Sequence, residues 1–198
     1  MIDEAAAAVQ ERRIPPSGDS DADNRLMRLV REGDLDKLTL LYDRYARPLY
    51  AFFYRLTSNP TASEDLVQNV FVRVLKYRGN FRDEGRFSTW LFAIAHNVKN
   101  DYLRKVLRSR EEIFAGRHDP VDPGDLAADV EKSERAAAVM RAIERLSPVQ
   151  REALVLFRIE GLKSREIAGI LNCSENTVKA RIFRALESLK KMCCEGKE

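Results

Sequence analysis

The sequence predicts an all-α protein made of two small helical domains joined by a flexible acidic linker, the C-terminal domain a helix-turn-helix. Three observations predict it. Apolar residues recur at helical spacing over residues 24–108 and again over 132–198, and no stretch alternates convincingly as a strand would. Between these stretches Gly116, Pro120, Pro123 and Gly124 sit among the acids Glu111, Glu112, Asp119, Asp122, Asp125 and Asp129, and the like charges keep such a segment extended. Residues 163–190, KSREIAGILNCSENTVKARIFRALESLK, read as two helices joined by a short polar turn.

Composition sets the bounds. The 198 residues suffice for one large or two small domains, and a hydrophobic content of 44% supports real cores. A formal net charge of +3 says little about partners. Its distribution says more, because Lys99, Arg104, Lys105, Arg108 and Arg110 form one basic cluster and Lys179, Arg181, Arg184, Lys190 and Lys191 another. No apolar run is long enough to span a bilayer, and residues 5–9 follow Asp3 and Glu4 rather than the basic segment of a signal peptide, so no membrane insertion is expected. Cys173, Cys193 and Cys194 are an odd number without disulfide-like spacing, which fits a cytoplasmic protein. Two histidines, no phosphate-cradling glycine loop and no paired-acid motif argue against an enzyme, and neither a cofactor nor a metal is implied.

Taken in order, residues 1–23 carry Pro15, Pro16, Ser17, Gly18 and several acids, the composition of a disordered arm. From Asn24 a helix begins with Leu26, Leu29 and Val30, and Gly33 stops it. Asp34 is placed to cap the next helix, whose Leu38, Leu41, Tyr42, Tyr45, Leu49, Phe52 and Phe53 make a thick apolar face; Pro48 should kink or divide it. Asn59 and Pro60 suit the start of a third helix, with Leu66, Val70, Phe71, Val74 and Leu75 as its apolar residues. A loop over residues 77–86, rich in glycine and charge, leads into a long helix over 87–108. Beyond the linker over 109–131, a helix with Val139, Met140 and Ile143 runs to Leu146. Ser147-Pro148-Val149-Gln150 is then a capping box with proline at the first helical position, and the helix it opens ends near Gly161.

In the helix-turn-helix, Ser164 can cap the first helix, whose Ile167, Ala168 and Leu171 share a face. Asn172, Cys173 and Ser174 interrupt it, and Ser174 can cap the second helix, with Thr177 in its first turn. Val178, Ile182, Ala185, Leu186 and Leu189 form a narrow buried stripe there. The opposite face carries Asn176, Ala180, Phe183 and Arg184, flanked by Lys179 and Arg181. Those are the groups a major-groove helix needs: Arg and Lys donate to guanine edges or phosphates, Asn pairs with adenine, and Ala or Phe touches a thymine methyl. An ordinary helical hairpin with solvated charges would explain the basic residues alone; the tight turn together with the dense basic face favours DNA binding.

Four segments in order, LYDRYARPLYAF, ASEDLVQNVFVRVLK, FSTWLFAIAHNVKNDYLRK and LSPVQREALVLFRIEGLKSREIAGILNCSENTVKARIFRAL, resemble bacterial extracytoplasmic-function sigma factors of the sigma-70 family. These are small two-domain promoter-specificity subunits of RNA polymerase. The resemblance implies that residues 24–108 are the region 2 domain, which binds core polymerase and the minus-ten element, and that 132–198 are the region 4 domain, which reads the minus-thirty-five element. It places Asp65, Leu66, Gln68 and Arg73 on the polymerase-docking surface. It gives Asn80, Phe81, Arg82, Phe87, Asn97, Lys99 and Asn100 to the displaced minus-ten strand, where stacking and hydrogen bonds must offset the cost of unstacking a base. Trp90 is read as structural support, and His96 as a helix-surface residue. On the same resemblance, Ser174, Asn176, Thr177, Lys179, Ala180, Arg181, Phe183 and Arg184 face minus-thirty-five DNA. The partners implied are core RNA polymerase, promoter DNA as duplex and single strand, and an anti-sigma factor.

Two points stay open on the sequence. The acidic linker suits either a plain tether or a phosphate mimic in a polymerase channel. The segment from Leu146 onward would also satisfy an operator-binding regulator of the LuxR type, although the first half lacks the alternating strands and helices of a receiver domain.

Overall fold

A computed structural model describes residues 20–114, 141–158 and 161–195, and every regular element among them is helical. The N-terminal domain comprises α1 (Ser20–Glu32), α2 (Lys37–Thr57), α3 (Pro60–Tyr77), a 3-10 turn (Arg78–Asn80) and the long α4 (Phe87–Phe114). The C-terminal domain comprises a helical turn at 141–144, then α5 (Pro148–Arg158), α6 (Ser164–Ile170) and α7 (Glu175–Glu195). Residues 1–19 of the expected arm, residues 115–131 of the expected linker, Val139, Met140 and the side chains of Cys193 and Cys194 lie outside the described residues.

Two helices run past their expected ends. Helix α1 starts at Ser20 rather than Asn24, because Asp23 belongs to the fold: it is buried, accepts from the Tyr45 hydroxyl at 2.7 Å and pairs with Arg44. At the other end α4 runs past residue 108 to Phe114, since Arg110, Glu111 and Glu112 are good helix formers despite their charge.

The helix ends obey local chemistry, with exceptions. Gly33 closes α1 at φ +112°, with Asp34 N–H donating to the Leu29 carbonyl as in a Schellman motif. Asp34 does not cap α2; Asp36 holds that position without a side-chain bond, and the Asp34 carboxylate pairs with Lys37 at 3.6 Å. Asn59 caps α3 by accepting from Ala62 N–H at 2.9 Å. On α5 the reciprocal half of the capping box is present, Gln150 accepting from Ser147 N–H at 3.4 Å. Helix α6 is opened one residue before Ser164: the Glu166 carboxylate accepts from Lys163 N–H at 2.7 Å.

Pro48 does not divide α2; the helix is one run of 21 residues. Proline inside a helix costs ~3 kcal/mol, whereas burying each large apolar side chain returns ~1.5–3 kcal/mol. Tyr45, Leu49, Phe52 and Phe53 are all buried around the proline, so packing wins. Phe52 joins α2 to α4 through an edge contact with Phe92 at 5.5 Å, and Tyr45 meets Phe87 at 5.3 Å.

The two domains are in contact. Helix α4 packs against α6 and α2 against α5, so the side of the N-terminal domain carrying α4 is partly covered by the C-terminal domain. This positions the site residues described next.

Candidate nucleic-acid interface

Helices α6 and α7 and their turn form the expected helix-turn-helix. Leu171 and Cys173 N–H groups donate back to the carbonyls of Ile167 and Ala168 at 2.8 and 3.1 Å, and Asn172 takes φ +48° to reverse the chain. Asparagine tolerates that left-handed conformation better than most residues. The Ser174 hydroxyl accepts from Thr177 N–H at 3.1 Å, the cap foreseen for the second helix. Val178, Ile182 and Ala185 are buried and fix the rotation of α7. Asn176, Lys179, Ala180, Phe183 and Arg184 are consequently exposed on one face, Phe183 at 66% of its full area. Phe183 therefore stands on the side of α7 opposite its buried stripe. Arg181 is half-buried, its guanidinium 3.7 Å from the Cys173 sulfur, and Lys179 pairs with Glu175 at 2.8 Å.

On the N-terminal domain the residues assigned to the minus-ten strand divide. Asn80, Arg82 and Asn97 are exposed. Phe81 and Phe87 correct the expectation: each is 1% exposed and they pack against each other at 6.1 Å, with Trp90 completing the aromatic cluster. Their burial follows from how the loop over residues 81–86 is pinned to α1. Arg31 donates to the Phe81 carbonyl at 3.1 Å, while Asn24 donates to the Gly85 carbonyl at 2.8 Å and accepts from Phe87 N–H at 2.7 Å. Asn24 therefore caps α4 from sixty-odd residues away, |i−j| = 63, a role that no local pattern signals.

The expected polymerase-docking face is also adjusted. Asp65 and Gln68 are exposed on α3, three residues apart and on one side. Leu66 is 4% exposed and belongs to the core, because it points a third of a turn away from Asp65 onto the side where Val70 and Val74 lie. Arg73 is half-buried and paired with Asp101 of α4 at 2.7 Å, which also receives Arg104 at 2.6 Å. Hydrogen bonding from Arg73 holds the Asp101 carboxyl below its ordinary range.

Lys99 and Asn100 are drawn into a network that crosses the domain boundary. Lys99 is 7% exposed and donates to Glu152 Oε2 of α5 at 2.5 Å. His96 Nδ1 meets Glu152 Oε1 at 2.7 Å, and the Asn100 amide nitrogen meets His96 Nε2 at 2.9 Å. A neutral imidazole carrying its proton on Nδ1 satisfies both bonds, donating to the carboxylate and accepting from the amide. His96 is thus a linking residue rather than a plain helix-surface one. Nearby, Glu166 of α6 accepts from the Thr89 hydroxyl at 2.8 Å and approaches Arg86 at 3.9 Å, and Ser58 donates to Glu144 at 3.0 Å. Glu152 is an acid within the apolar run of REALVLF, a signal that could have marked it; its partner 53 residues upstream could not be read locally.

Burial pushes the Glu152 carboxyl upward, but the bonds from His96 and Lys99 and the Lys99 charge outweigh it and hold the group below the ordinary carboxylate range. A carboxyl held low in the folded chain stabilises that chain when ionised. Its contribution is in full force at neutral pH and is lost as the pH falls through the lowered value. In urea unfolding across a pH series, the stability advantage of the wild type over Glu152→Gln is expected to narrow once the pH drops below ~4.3, the ordinary carboxylate value. An advantage that grew with acidification would contradict the arrangement.

Two family models match the chain, Sigma-70 region 2 over residues 41–110 and Sigma-70, region 4 over residues 136–189. The chain is 31% identical over 169 residues to the RNA polymerase sigma factor CarQ of Myxococcus xanthus, covering 85% of this chain and 96% of that one. It is 33% identical over 185 residues to the ECF RNA polymerase sigma factor BldN of Streptomyces coelicolor, covering 89% and 69%. The chain belongs to the extracytoplasmic-function sigma factors of the sigma-70 family. Its fold matches that of the sigma factor RpoE of Bartonella quintana, solved with the anti-sigma factor NepR, at a TM-score of 0.66 and 26% identity over 81% of this chain and 96% of that one. The fold of CnrH, solved with the cytosolic domain of CnrY, matches at a TM-score of 0.65 and 24% identity over 89% and 99%. A sigma factor of this group directs promoter-specific transcription initiation. The LuxR alternative falls, since it has no place for a region 2 match over residues 41–110. Among the described residues no helix is long and apolar enough to cross a membrane.

Proposed function

We propose that this sigma factor binds core RNA polymerase through the exposed α3 face of Asp65 and Gln68, with Arg73 beside it held by Asp101. The outer face of α7, with Asn176, Lys179, Ala180, Phe183 and Arg184, enters the major groove at the minus-thirty-five element. Asn80, Arg82, Asn97, Lys99 and Asn100 hold the displaced minus-ten strand, and Phe81 and Phe87 support that surface from beneath. Opening is driven by differential binding, because the protein favours single-stranded over duplex minus-ten DNA; no catalytic step is involved. An anti-sigma partner restrains it, as NepR is bound to RpoE in the related complex. The setting is the cytoplasm, where polymerase and promoters are.

The observation that carries this proposal is the exposed basic and aromatic face of α7 on a helix-turn-helix, in a chain that also carries region 2. It is tested by equilibrium binding of the full chain to bacterial core polymerase. The Asp65→Ala/Gln68→Ala variant is expected to bind about tenfold more weakly, equivalent to ~1.4 kcal/mol. Wild-type affinity in the folded double variant would move the docking surface elsewhere.

A further inference from the structure

The loop over residues 81–86 carries Arg82 of the proposed minus-ten surface, with Asn80 at its root, and its tip from Arg82 to Gly85 is exposed. An exposed tip gains little from packing, so its position depends on polar attachments at its ends and middle. Helix α1 supplies all three. Arg31 donates to the Phe81 carbonyl at 3.1 Å, and the Arg28 guanidinium lies 3.4 Å from the Asp83 carboxylate. Asn24 takes both the Gly85 carbonyl and the Phe87 N–H, at 2.8 and 2.7 Å. Positions 24, 28 and 31 follow the spacing that lines side chains along one helix face. Met27 and Val30, fully buried beside that face, fix the rotation of α1 and so aim the polar row at the loop. Asn24 does two separable jobs with one amide. Its oxygen caps α4 at Phe87, and its nitrogen tethers the loop at Gly85. A carboxylate can do the first as well as an amide, but it has no proton for the Gly85 carbonyl.

From this we infer that Asn24, with Arg28 and Arg31 along the same face, is a positioning residue for minus-ten recognition: α1 presets the loop, so the unpaired strand meets Asn80 and Arg82 already in place. The inference rests on the proposed minus-ten surface, and it requires no contact between α1 and DNA. A loop ordered in advance has less conformational entropy to lose when the strand binds, and the tether at Gly85 thereby raises affinity from behind the binding surface. The contribution is separate from the helix cap, because it depends on the Gly85 carbonyl and not on the Phe87 N–H.

The test uses the full chain in complex with core polymerase and a labelled minus-ten single-stranded oligonucleotide, followed by fluorescence anisotropy across a salt series. Asn24→Asp is expected to unfold in urea like the wild type, because α4 keeps its cap. It is nonetheless expected to bind the oligonucleotide about tenfold more weakly, the effect of leaving roughly one more backbone residue to be ordered on binding. That factor should hold at every salt concentration, whereas repulsion between the new carboxylate and the strand would fade as salt screens it. Arg31→Ala, at an exposed position, is expected to weaken binding in the same direction with the salt slope unchanged, and it decides the matter if Asn24→Asp folds poorly. Wild-type affinity in the folded variant would leave Asn24 a helix cap alone and overturn the inference. So would a loss that vanished at high salt or came with a lower salt slope, since either marks a direct charge effect on the strand. Asn80→Ala separates this result from the reading beneath it. Weakened binding there beside an unaffected Asn24→Asp would sink the positioning role only, and no effect in either variant would displace the minus-ten surface itself.

Discussion

Arg184→Ala is expected to relax discrimination at one or two minus-thirty-five positions by about 1–3 kcal/mol, roughly five- to 150-fold, while sparing the other positions. The reason is geometric. Buried Val178, Ile182 and Ala185 fix the rotation of α7, and Arg184 comes out on the same exposed side as Asn176, Ala180 and Phe183. A guanidinium there can donate two parallel bonds to a guanine edge, which lysine cannot do, so Arg184→Lys should recover affinity but little specificity. The measurement is binding of the polymerase complex to a panel of minus-thirty-five variants at constant ionic strength, because phosphate contacts weaken steeply with salt. If every promoter lost affinity equally and the salt slope fell by about 1, Arg184 would be a phosphate contact that positions the helix without reading sequence.

Phe52→Ala is expected to cost about 3–5 kcal/mol of stability, the usual range for emptying a buried aromatic site. Phe52 is fully buried and meets Phe53 at 5.3 Å and Phe92 at 5.5 Å, so it ties α2 to α4. Domains of this kind have ~5–15 kcal/mol in total, so the loss removes a large share. Urea unfolding monitored by far-ultraviolet circular dichroism reads it directly. A cost below about 1 kcal/mol would mean that the site collapses around the deletion, and that the α2–α4 seam is held by other residues. Function should fall with it, since Phe52 packs on Phe92 of α4, the helix that carries Asn97.

Much of this protein was readable because its signals are local. Helical periodicity placed the apolar faces of α2, α3 and α7, Asn59 and Ser174 acted as caps within three residues of their donors, and Gly33 ended a helix by its own backbone freedom. The outer face of α7 was readable for the same reason. Once the inner stripe is apolar, the period of the helix decides what lies opposite. The sequence by itself therefore determined the helices, the helix-turn-helix and, through its ordered motifs, the family.

What lay beyond it are contacts between residues far apart in the chain. Phe81 and Phe87 looked like stacking groups and turned out to be core, because Asn24 and Arg31 pin their loop onto α1. Pro48 looked like a break and was absorbed, because four large neighbours gain more by burial than one missing hydrogen bond loses. Lys99 looked available to DNA and is held by an acid on the other domain. Periodicity tells which residues share a face, since that depends only on the backbone repeat. It does not tell what that face meets, because side-chain burial and charge pairing are settled by which distant elements come to rest against it, and only the tertiary structure decides that.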